Sequence, residues 1–362
     1  MATIVDVAQR AGVGTTTVTK VLANRPHVSA PTRQRVLEAI ADLDYHPSAV
    51  GRTLRTGITH VLGVITPAPS ADPLSHVFFT RVLAGVAACA SEYGYDVLWL
   101  TAASHREPES KGSYAALFKS KRVDGLIDVN IYLNDPRIEA LRVSGYPFVL
   151  IGHPEDESLP HVDSANWEAG ASVGRAFVAR HYTAVAFIGM AEPPAAHDRL
   201  HGFVASLAAT KISLPDEHIA LLSGEGGEEN LEALGWVTMN RWIASGQLPR
   251  AVFAATDELA YGVLRACREA GYRIPDDVAL VGFDDDPLSR FLDPPLATVQ
   301  QQIHELGYHA AHLLVRILAG EAFESRRYTL PTYLIERTSI GPLAHTAGEK
   351  GEKAREVTGK DG

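Results

Sequence analysis

A threonine-rich run near the N-terminus concentrates short hydrogen-bonding side chains in one place. It consists of Thr15, Thr16, Thr17, Thr19 and Lys20. Val18, Val21 and Leu22 recur between these residues at helical spacing, which predicts a helix with one thin buried side and one polar side. Hydroxyl and ammonium groups of this kind hydrogen-bond to base edges and phosphates. The run therefore indicates a helix that could read DNA.

Other groupings of reactive side chains do not complete a catalytic or metal site. His304 and His309 flank Glu305, but the second histidine comes one residue too late to share a helix face with the first, as a zinc protease motif requires. His304, Tyr308 and His312 share a face, yet without a carboxylate or cysteine partner a solvated or interface stripe is favoured over a metal site. Residues 284–286, all aspartates, are interpreted as a turn at a cleft edge.

The sequence also lacks a G-x-S-x-G elbow, a Walker loop and a dinucleotide fingerprint. We therefore expect no catalytic residues, no metal, no cofactor and no enzymatic activity. The two cysteines, Cys89 and Cys267, lie in apolar helical segments and are interpreted as small buried hydrophobes.

Local signals around the threonine run predict short helices. Thr3 and Asp6 have the spacing of a capping box with Asp in place of Glu, and Gly12 fits a left-handed helix stop. The turn through Gly14 leads into the threonine helix. A third helix is expected to begin at a Ser29 cap and to end before Pro47.

Beyond Gly57 the pattern changes to apolar strands that alternate with amphipathic helices. The strands are HVLGVIT, DVLWLT, DGLIDV, FVLIGH, AVAFIG, HIALLSG, AVFAATD and VALVGFD. Helical stretches between them include 79–93, 167–181, 230–245 and 258–270. This alternation predicts parallel sheets with helices on both faces, and its length predicts two lobes of similar design.

Charge is divided unevenly along the 362 residues. The first 57 residues hold seven basic and four acidic side chains, which gives a net charge of +3. Because the whole chain has a net charge of −10, the residues after Gly57 carry a net charge of −13. A basic head on an acidic body confines favourable contact with phosphates to one end. No uncharged apolar run approaches the roughly 20 residues that span a bilayer, and the N-terminus lacks the pattern of a secretory signal. We expect a cytoplasmic protein.

The head closely resembles the headpiece of the lactose-repressor (LacI/GalR) family of transcriptional regulators. The resemblance extends over residues 3–57, from TIVDVAQRAGVGTTTVTKVL to RTLRTG. It implies that Thr15, Thr16, Thr17, Thr19 and Lys20 contact DNA, with Thr15 and Thr16 at the most variable base-reading positions. Lys20 replaces a common arginine, which argues against bidentate reading of guanine there.

The segment SAVGRTLR, residues 48–55, resembles the hinge helix of the same family. The resemblance implies that Leu54 wedges into a minor-groove base step beside Arg52 and Arg55. A plain linker is the alternative, and Ser48 in a capping position favours the helix. Gly51 stands where relatives usually have alanine, which should weaken this helix.

The core resembles the family through to about residue 341. Specific matches are RLHGF, VFAATDELAYG, IPDDVALVGFDDDPLSRFLDPPLATV and ELGYHAA. The resemblance implies an effector cleft between the lobes, lined by Phe78, Phe79, Asn130 or its neighbour Val129, Asn166, Arg199, Asp257, Asp284 and Gln301.

Charged groups beside aromatic rings suit a mono- or oligosaccharide. Asn230 replaces the stacking aromatic of purine-binding relatives, which also favours a saccharide. Phe78 and Phe79 could instead be ordinary core residues, and Asp284 could simply cap a turn.

These observations predict an all-α helix-turn-helix headpiece on an α/β core of two doubly wound parallel-sheet lobes, similar to periplasmic binding proteins. The expected parts are a headpiece (1–46), a hinge (47–58), a first lobe (59–161 and 291–323), a second lobe (162–290 and 324–341) and a disordered tail (342–362).

The resemblance also implies a homodimer, since in this family each headpiece reads one half of a palindromic operator, and the tail lacks the leucine heptads of tetrameric relatives. A ligand-responsive regulator, most simply a repressor of transcription, is favoured over an enzyme or an exported sugar-binding protein.

Overall fold

The computed structural model describes residues 2–22, 24–46, 53, 57–67, 76–102, 122–129, 132, 135–223, 230–323 and 325–343. The chain divides into two compact units, Met1–His60 and Val61–Gly362. Four residues with expected roles, Arg52, Leu54, Arg55 and Asn130, lie outside the described residues, as do most of the expected hinge and the tail beyond residue 343.

The first unit holds the helices that the local signals predict. They are α1 (Ile4–Ala11), α2 (Thr15–Leu22) and α3 (Ala30–Asp42). Thr3 and Asp6 form the expected capping box, and Gly12 ends α1 in the left-handed conformation with a φ of 65°. Ser29 occupies the N-cap position of α3, but its hydroxyl bonds to the Thr32 side chain and not to the helix backbone. The helix-turn-helix prediction is confirmed.

A small apolar core fixes how α2 is presented. Val7 of α1, Val18 of α2 and Val36 of α3 are fully buried and belong to one cluster. Arg10 on α1 also pairs with Asp42 on α3 at 2.7 Å. Because one side of α2 is held in this core, its other side is left to the solvent.

The second unit contains two six-stranded sheets among the described residues. The first sheet consists of β1 (Val61–Pro67), β2 (Asp96–Ala102), β3 (Gly125–Val129), β4 (Phe148–Ile151), β5 (His161–Ser164) and β11 (Arg327–Leu330). The second consists of β6 (Val185–Met190), β7 (Ile219–Leu222), β8 (Ala251–Ala254), β9 (Ala279–Phe283), β10 (Ala297–Gln301) and β12 (Thr332–Ile335). The strand order is β11-β5-β4-β3-β1-β2 in the first sheet and β12-β10-β9-β8-β6-β7 in the second.

All strand pairs in the first sheet are parallel, and in the second only β12 runs antiparallel to its neighbour β10. The inner strands β3, β4, β8 and β9 are buried along their whole length, as expected where helices cover both faces of a parallel sheet. The expected two-lobed α/β core is confirmed.

Helices pack in pairs on these sheets. The first lobe has α4 (Val77–Glu92), α5 (Pro136–Ser144) and α10 (Ile303–Leu318), and the second has α6 (Asn166–Ala179), α7 (Pro194–Ala208), α8 (Leu231–Ala244) and α9 (Asp257–Glu269). None of the helices in the described part of the chain is long and apolar enough to cross a membrane.

Glycines allow α6 and α7 to approach closely. A Cβ atom added at Gly170 would overlap the carbonyl oxygen of Arg199, and one at Gly202 would overlap that of Trp167. Any side chain at these positions would force the two helices apart. The contact therefore sets the first residue of α6, Asn166, beside Arg199 on α7.

The chain passes between the sheets after β5, after β10 and between β11 and β12. These crossings differ from the expected boundaries at residues 161, 290 and 323. The strand Ala297–Gln301 belongs to the second sheet, and Arg327–Leu330 belongs to the first. Hydrophobic patterning predicts that a segment is a strand, but it does not say which of two similar sheets that strand joins.

Candidate functional site

The threonine helix of the headpiece presents a polar face to solvent. Thr15, Thr16 and Lys20 are exposed, whereas Val18 and Val21 are buried. Thr17 and Thr19 are half-buried at the edge of this face. A helix that buries one stripe and leaves hydroxyl and ammonium groups outward has the form required to enter a major groove. The assignment of these side chains to DNA contacts stays a prediction.

In the second unit, a buried arginine organises the ends of several strands. Arg199 is 8% exposed, its Nε donates to Asn166 Oδ1 at 2.8 Å, and its Nη1 donates to the carbonyl oxygen of Ala255 at 2.6 Å. The guanidinium lies 3.4 Å from the centroid of the Phe283 ring. Burial lowers the pKa of Arg199 to about 10, and Asp284 opposes that shift, so the group stays charged at neutral pH.

Asn166 links this arginine to the first lobe. Its amide nitrogen donates to Asp163 Oδ1 at 3.0 Å and to the carbonyl oxygen of Ser164 at 3.1 Å. Both of those residues lie in β5, at the point where the chain leaves the first sheet. Arg199 is therefore connected to the first lobe through Asn166.

Asp257 holds the loop that follows β9. Its Oδ1 accepts from Thr298 Oγ1 at 2.6 Å, and its Oδ2 accepts from Ser289 Oγ at 2.7 Å and from the Asp286 backbone at 2.8 Å. Burial and the charge of Asp284 raise the pKa of Asp257 to about 8. Through its bonds to Asp286 and Ser289, the Asp257 side chain holds the 284–289 loop in place.

A hydrogen-bond chain runs between the lobes at this point. Ser164 Oγ donates to Gln301 Oε1 at 2.8 Å, and Gln301 Nε2 donates to Asp284 Oδ1 at 2.5 Å. Ser164 and Gln301 are the last residues of β5 and β10, where two of the crossings occur. Asp284 has a φ of 114°, which non-glycine residues rarely adopt. Burial raises its pKa to about 7, while Arg199 opposes the shift.

The expected aromatic residues have a different environment. Phe79 is 8% exposed and belongs to the apolar core of the first lobe, while Phe78 is half-buried against that core. Their rings meet edge to face with centroids 5.5 Å apart. Phe79 therefore has the surroundings of a core residue, and Phe78 has the more accessible ring. Asn230 caps α8 through a bond from the Ala233 backbone, so a structural role accounts for it.

Of the residues expected around the cleft, Arg199 bonds to Asn166 and Gln301 bonds to Asp284. Asp284 also acts electrostatically on both Arg199 and Asp257. The sequence prediction missed His76, His153, Asp163 and Asp198. His76 Nδ1 lies 3.3 Å from Glu258 on α9, and His153 Nδ1 lies 3.3 Å from Asp198 on α7. Each contact joins the two lobes, and no sequence spacing marks either pair.

Comparisons with known proteins agree over nearly the whole chain. A family model described as "Bacterial regulatory proteins, lacI family" matches residues 3–48, and one described as "Periplasmic binding protein-like domain" matches residues 175–340. The chain is 30% identical over 347 residues to the HTH-type transcriptional repressor PurR of Mannheimia succiniciproducens, covering 95% of this chain and 100% of that protein.

Two solved structures extend the match to three dimensions. The complex of the transcriptional regulator CelR with cellobiose has a TM-score of 0.71 at 27% identity, covering 94% of this chain and 100% of that one. The Lac repressor dimer bound to operator and the anti-inducer ONPF has a TM-score of 0.80 at 25% identity, covering 95% of this chain and 99% of that one.

Proposed function

Because the chain belongs to the LacI family of bacterial regulatory proteins, we propose that it is a transcriptional repressor that binds a palindromic operator as a homodimer. A neutral saccharide bound between the lobes of its core controls that binding. The protein acts on DNA in the cytoplasm and catalyses no reaction.

The exposed polar face of α2 carries the DNA-binding part of the proposal. Thr15 and Thr16 reach base edges, and Lys20 contributes a charged donor to the same surface. Arg52, Leu54 and Arg55 follow the headpiece and are assigned to the minor groove, as the family resemblance implies.

The charges around Arg199 support an uncharged effector. The carboxylates that act on Arg199 and Asp284 come from Asp163, Asp198 and Glu258, in addition to Asp284 itself, and they outnumber the two cations there, Arg199 and Arg81. Such an excess of acid repels sugar phosphates and other anions, but it offers many acceptors to sugar hydroxyls. The cellobiose bound to the structural relative CelR belongs to the same chemical class.

Exposed apolar residues next to the cleft loop support the dimer. Leu288 is 50% exposed and Phe291 is 78% exposed, and both belong to the segment that follows Asp286. Large apolar side chains that are exposed within one short segment commonly mark a protein interface. Ser289 in the same segment bonds to Asp257, so a ligand that moves Asp257 also moves the surface assigned to the second copy.

The DNA-binding half of the proposal is tested with operators selected from random duplex DNA. Thr15→Ala and Thr16→Ala should weaken binding to the selected site by about 1–3 kcal/mol. Thr210→Ala is the control, because Thr210 is an exposed threonine outside the headpiece, and it should leave binding unchanged. Residues 61–362 alone should not bind, and binding by this truncated core would refute the assignment to the headpiece.

The effector half is tested by thermal unfolding against a panel of mono- and oligosaccharides and their phosphates. A neutral sugar should raise the midpoint temperature and change operator affinity, whereas the phosphates should do neither. Stabilisation by a sugar phosphate alone would refute the proposed ligand class. Conversion of any panel sugar by the purified protein would refute the absence of catalysis.

A further inference from the structure

His153, Asp163 and Asp198 form a cluster at the junction of the two lobes, next to the residues assigned to the effector. His153 follows β4 and Asp163 lies in β5, both in the first lobe, whereas Asp198 lies on α7 in the second. One potential ligand atom from each residue lies within 4.8 Å of the other two. Nitrogen and oxygen ligands from both lobes therefore surround one point.

The spacing of these atoms is close to that of a metal site. Bonds of about 2.0–2.2 Å from a metal to nitrogen and oxygen place tetrahedral ligands about 3.4 Å apart. His153 Nδ1 and Asp198 Oδ2 already lie 3.3 Å apart. The ligand oxygen of Asp163 lies within 4.8 Å of these two atoms, so it has to move towards them by at most about 1.4 Å to reach the spacing of a third ligand. Rotation of one side chain or a small movement of the lobes is sufficient.

The second ring nitrogen of His153 also faces a carboxylate. Nε2 lies 3.7 Å from Glu157 Oε1, which is ion-pair range but longer than a hydrogen bond. Glu157 is itself held by Arg327 at 2.6 Å. Histidines that bind metals usually direct the second nitrogen to a carboxylate, which fixes the ring and strengthens it as a ligand.

The cluster brings two carboxylates, those of Asp163 and Asp198, within 4.8 Å of each other. Like charges at this separation repel each other, and a bound cation would relieve that repulsion. Asn166 donates to one oxygen of Asp163.

We propose that His153, Asp163 and Asp198 bind one divalent transition-metal ion that ties the two lobes together. Water or an effector hydroxyl completes its coordination. The imidazole ligand favours Zn²⁺, Co²⁺ or Ni²⁺ over Mg²⁺ and Ca²⁺. Because the ligands come from both lobes, the ion stabilises the lobe arrangement in which all three meet. A bound divalent ion would offset the charge of Asp163 and Asp198, so the argument for an uncharged effector applies to the metal-free chain, and the saccharide panel is run on that form.

The experiment uses the full chain, freed of metal with a chelator and titrated with ZnCl₂ by calorimetry. His153→Ala and Asp198→Asn should each weaken the tightest Zn²⁺ site at least tenfold. His201→Ala is the matched control, because His201 is an exposed histidine on the same helix as Asp198 and lies outside the cluster. This variant should bind Zn²⁺ like the original chain.

Co²⁺ supplies a second measurement that reports the ligands directly. Its visible absorption should appear on binding and be lost in Asp198→Asn, a near-isosteric change expected to leave the metal-free midpoint temperature unchanged. Zn²⁺ should raise that temperature in the original chain and not in Asp198→Asn. Equal Zn²⁺ affinity in the original chain and in Asp198→Asn would overturn the proposal, as would the absence of binding at submillimolar Zn²⁺.

Discussion

Replacement of Arg199 by alanine tests whether this residue organises the proposed effector site. The change removes the hydrogen bonds to Asn166 and to the Ala255 carbonyl, together with the contact of the guanidinium on the Phe283 ring. It leaves two buried acceptors without their donor and removes a cation from beside Asp284. We expect the free energy of unfolding to fall by about 2–5 kcal/mol.

The same change should reduce effector affinity by about 1–3 kcal/mol, or roughly 5- to 150-fold, because a donor fixed beside the ligand is lost. Urea unfolding measures the first effect, and calorimetry with the saccharide identified in the panel measures the second. Operator binding should be retained, since the headpiece has its own apolar core.

Arg175→Ala is the matched control for this experiment. Arg175 lies on α6, its side chain is 61% exposed, and its contact with Glu168 is a surface pair of 3.8 Å. Such pairs contribute about 0–1 kcal/mol, so stability and effector affinity should hardly change. If Arg199→Ala behaves like Arg175→Ala in both measurements, the assignment of Arg199 as the organising residue of the cleft is refuted.

Three further predictions concern pH, the hinge and the dimer. Burial raises the pKa of Asp257 to about 8 and that of Asp284 to about 7. The folded chain therefore keeps protons that an unfolded chain loses near pH 4, and this contribution to the free energy of unfolding should decline between about pH 4 and 8. Asp284→Asn, which can still accept from Gln301, should flatten the decline in urea unfolding, and an unchanged slope would contradict the assignment. In the hinge, Gly51→Ala should favour the helix by about 1 kcal/mol and tighten operator binding in an anisotropy titration. Leu54→Ala should weaken binding to the operator more than binding to non-specific DNA, and an equal loss of specific and non-specific binding would argue against the minor-groove wedge. Phe291→Asp should shift sedimentation velocity towards the monomer, and an unchanged dimer would place the interface elsewhere.

Local sequence signals were sufficient for the headpiece. The capping box of Thr3 and Asp6 and the left-handed stop at Gly12 each involve residues only a few positions apart. Interactions of this range are encoded directly in residue order, so the ends of α1 could be predicted. The Ser29 cap was the exception, because the Thr32 side chain competes for the same hydroxyl.

In the second unit, the alternation of strands and helices could also be predicted from the sequence, because apolar periodicity indicates which residues are buried. The sequence did not predict which of the two sheets each strand joins. The strands Ala297–Gln301 and Arg327–Leu330 are each followed by a crossing, and their assignment depends on which neighbour they pair with. Pairing partners more than a hundred residues away, such as β5 for β11, leave no local pattern.

The sequence by itself therefore determined the family and the polar face of the threonine helix, while its assignment of polar residues to an effector cleft stays a prediction. Only the tertiary structure showed that Asp257 holds the 284–289 loop, that Phe79 lies in the first-lobe core, and that His153 meets Asp163 and Asp198. The physical reason is distance along the chain. Helix caps and periodic burial depend on near neighbours, whereas a site between two lobes is assembled from residues that only the crossing connections bring together.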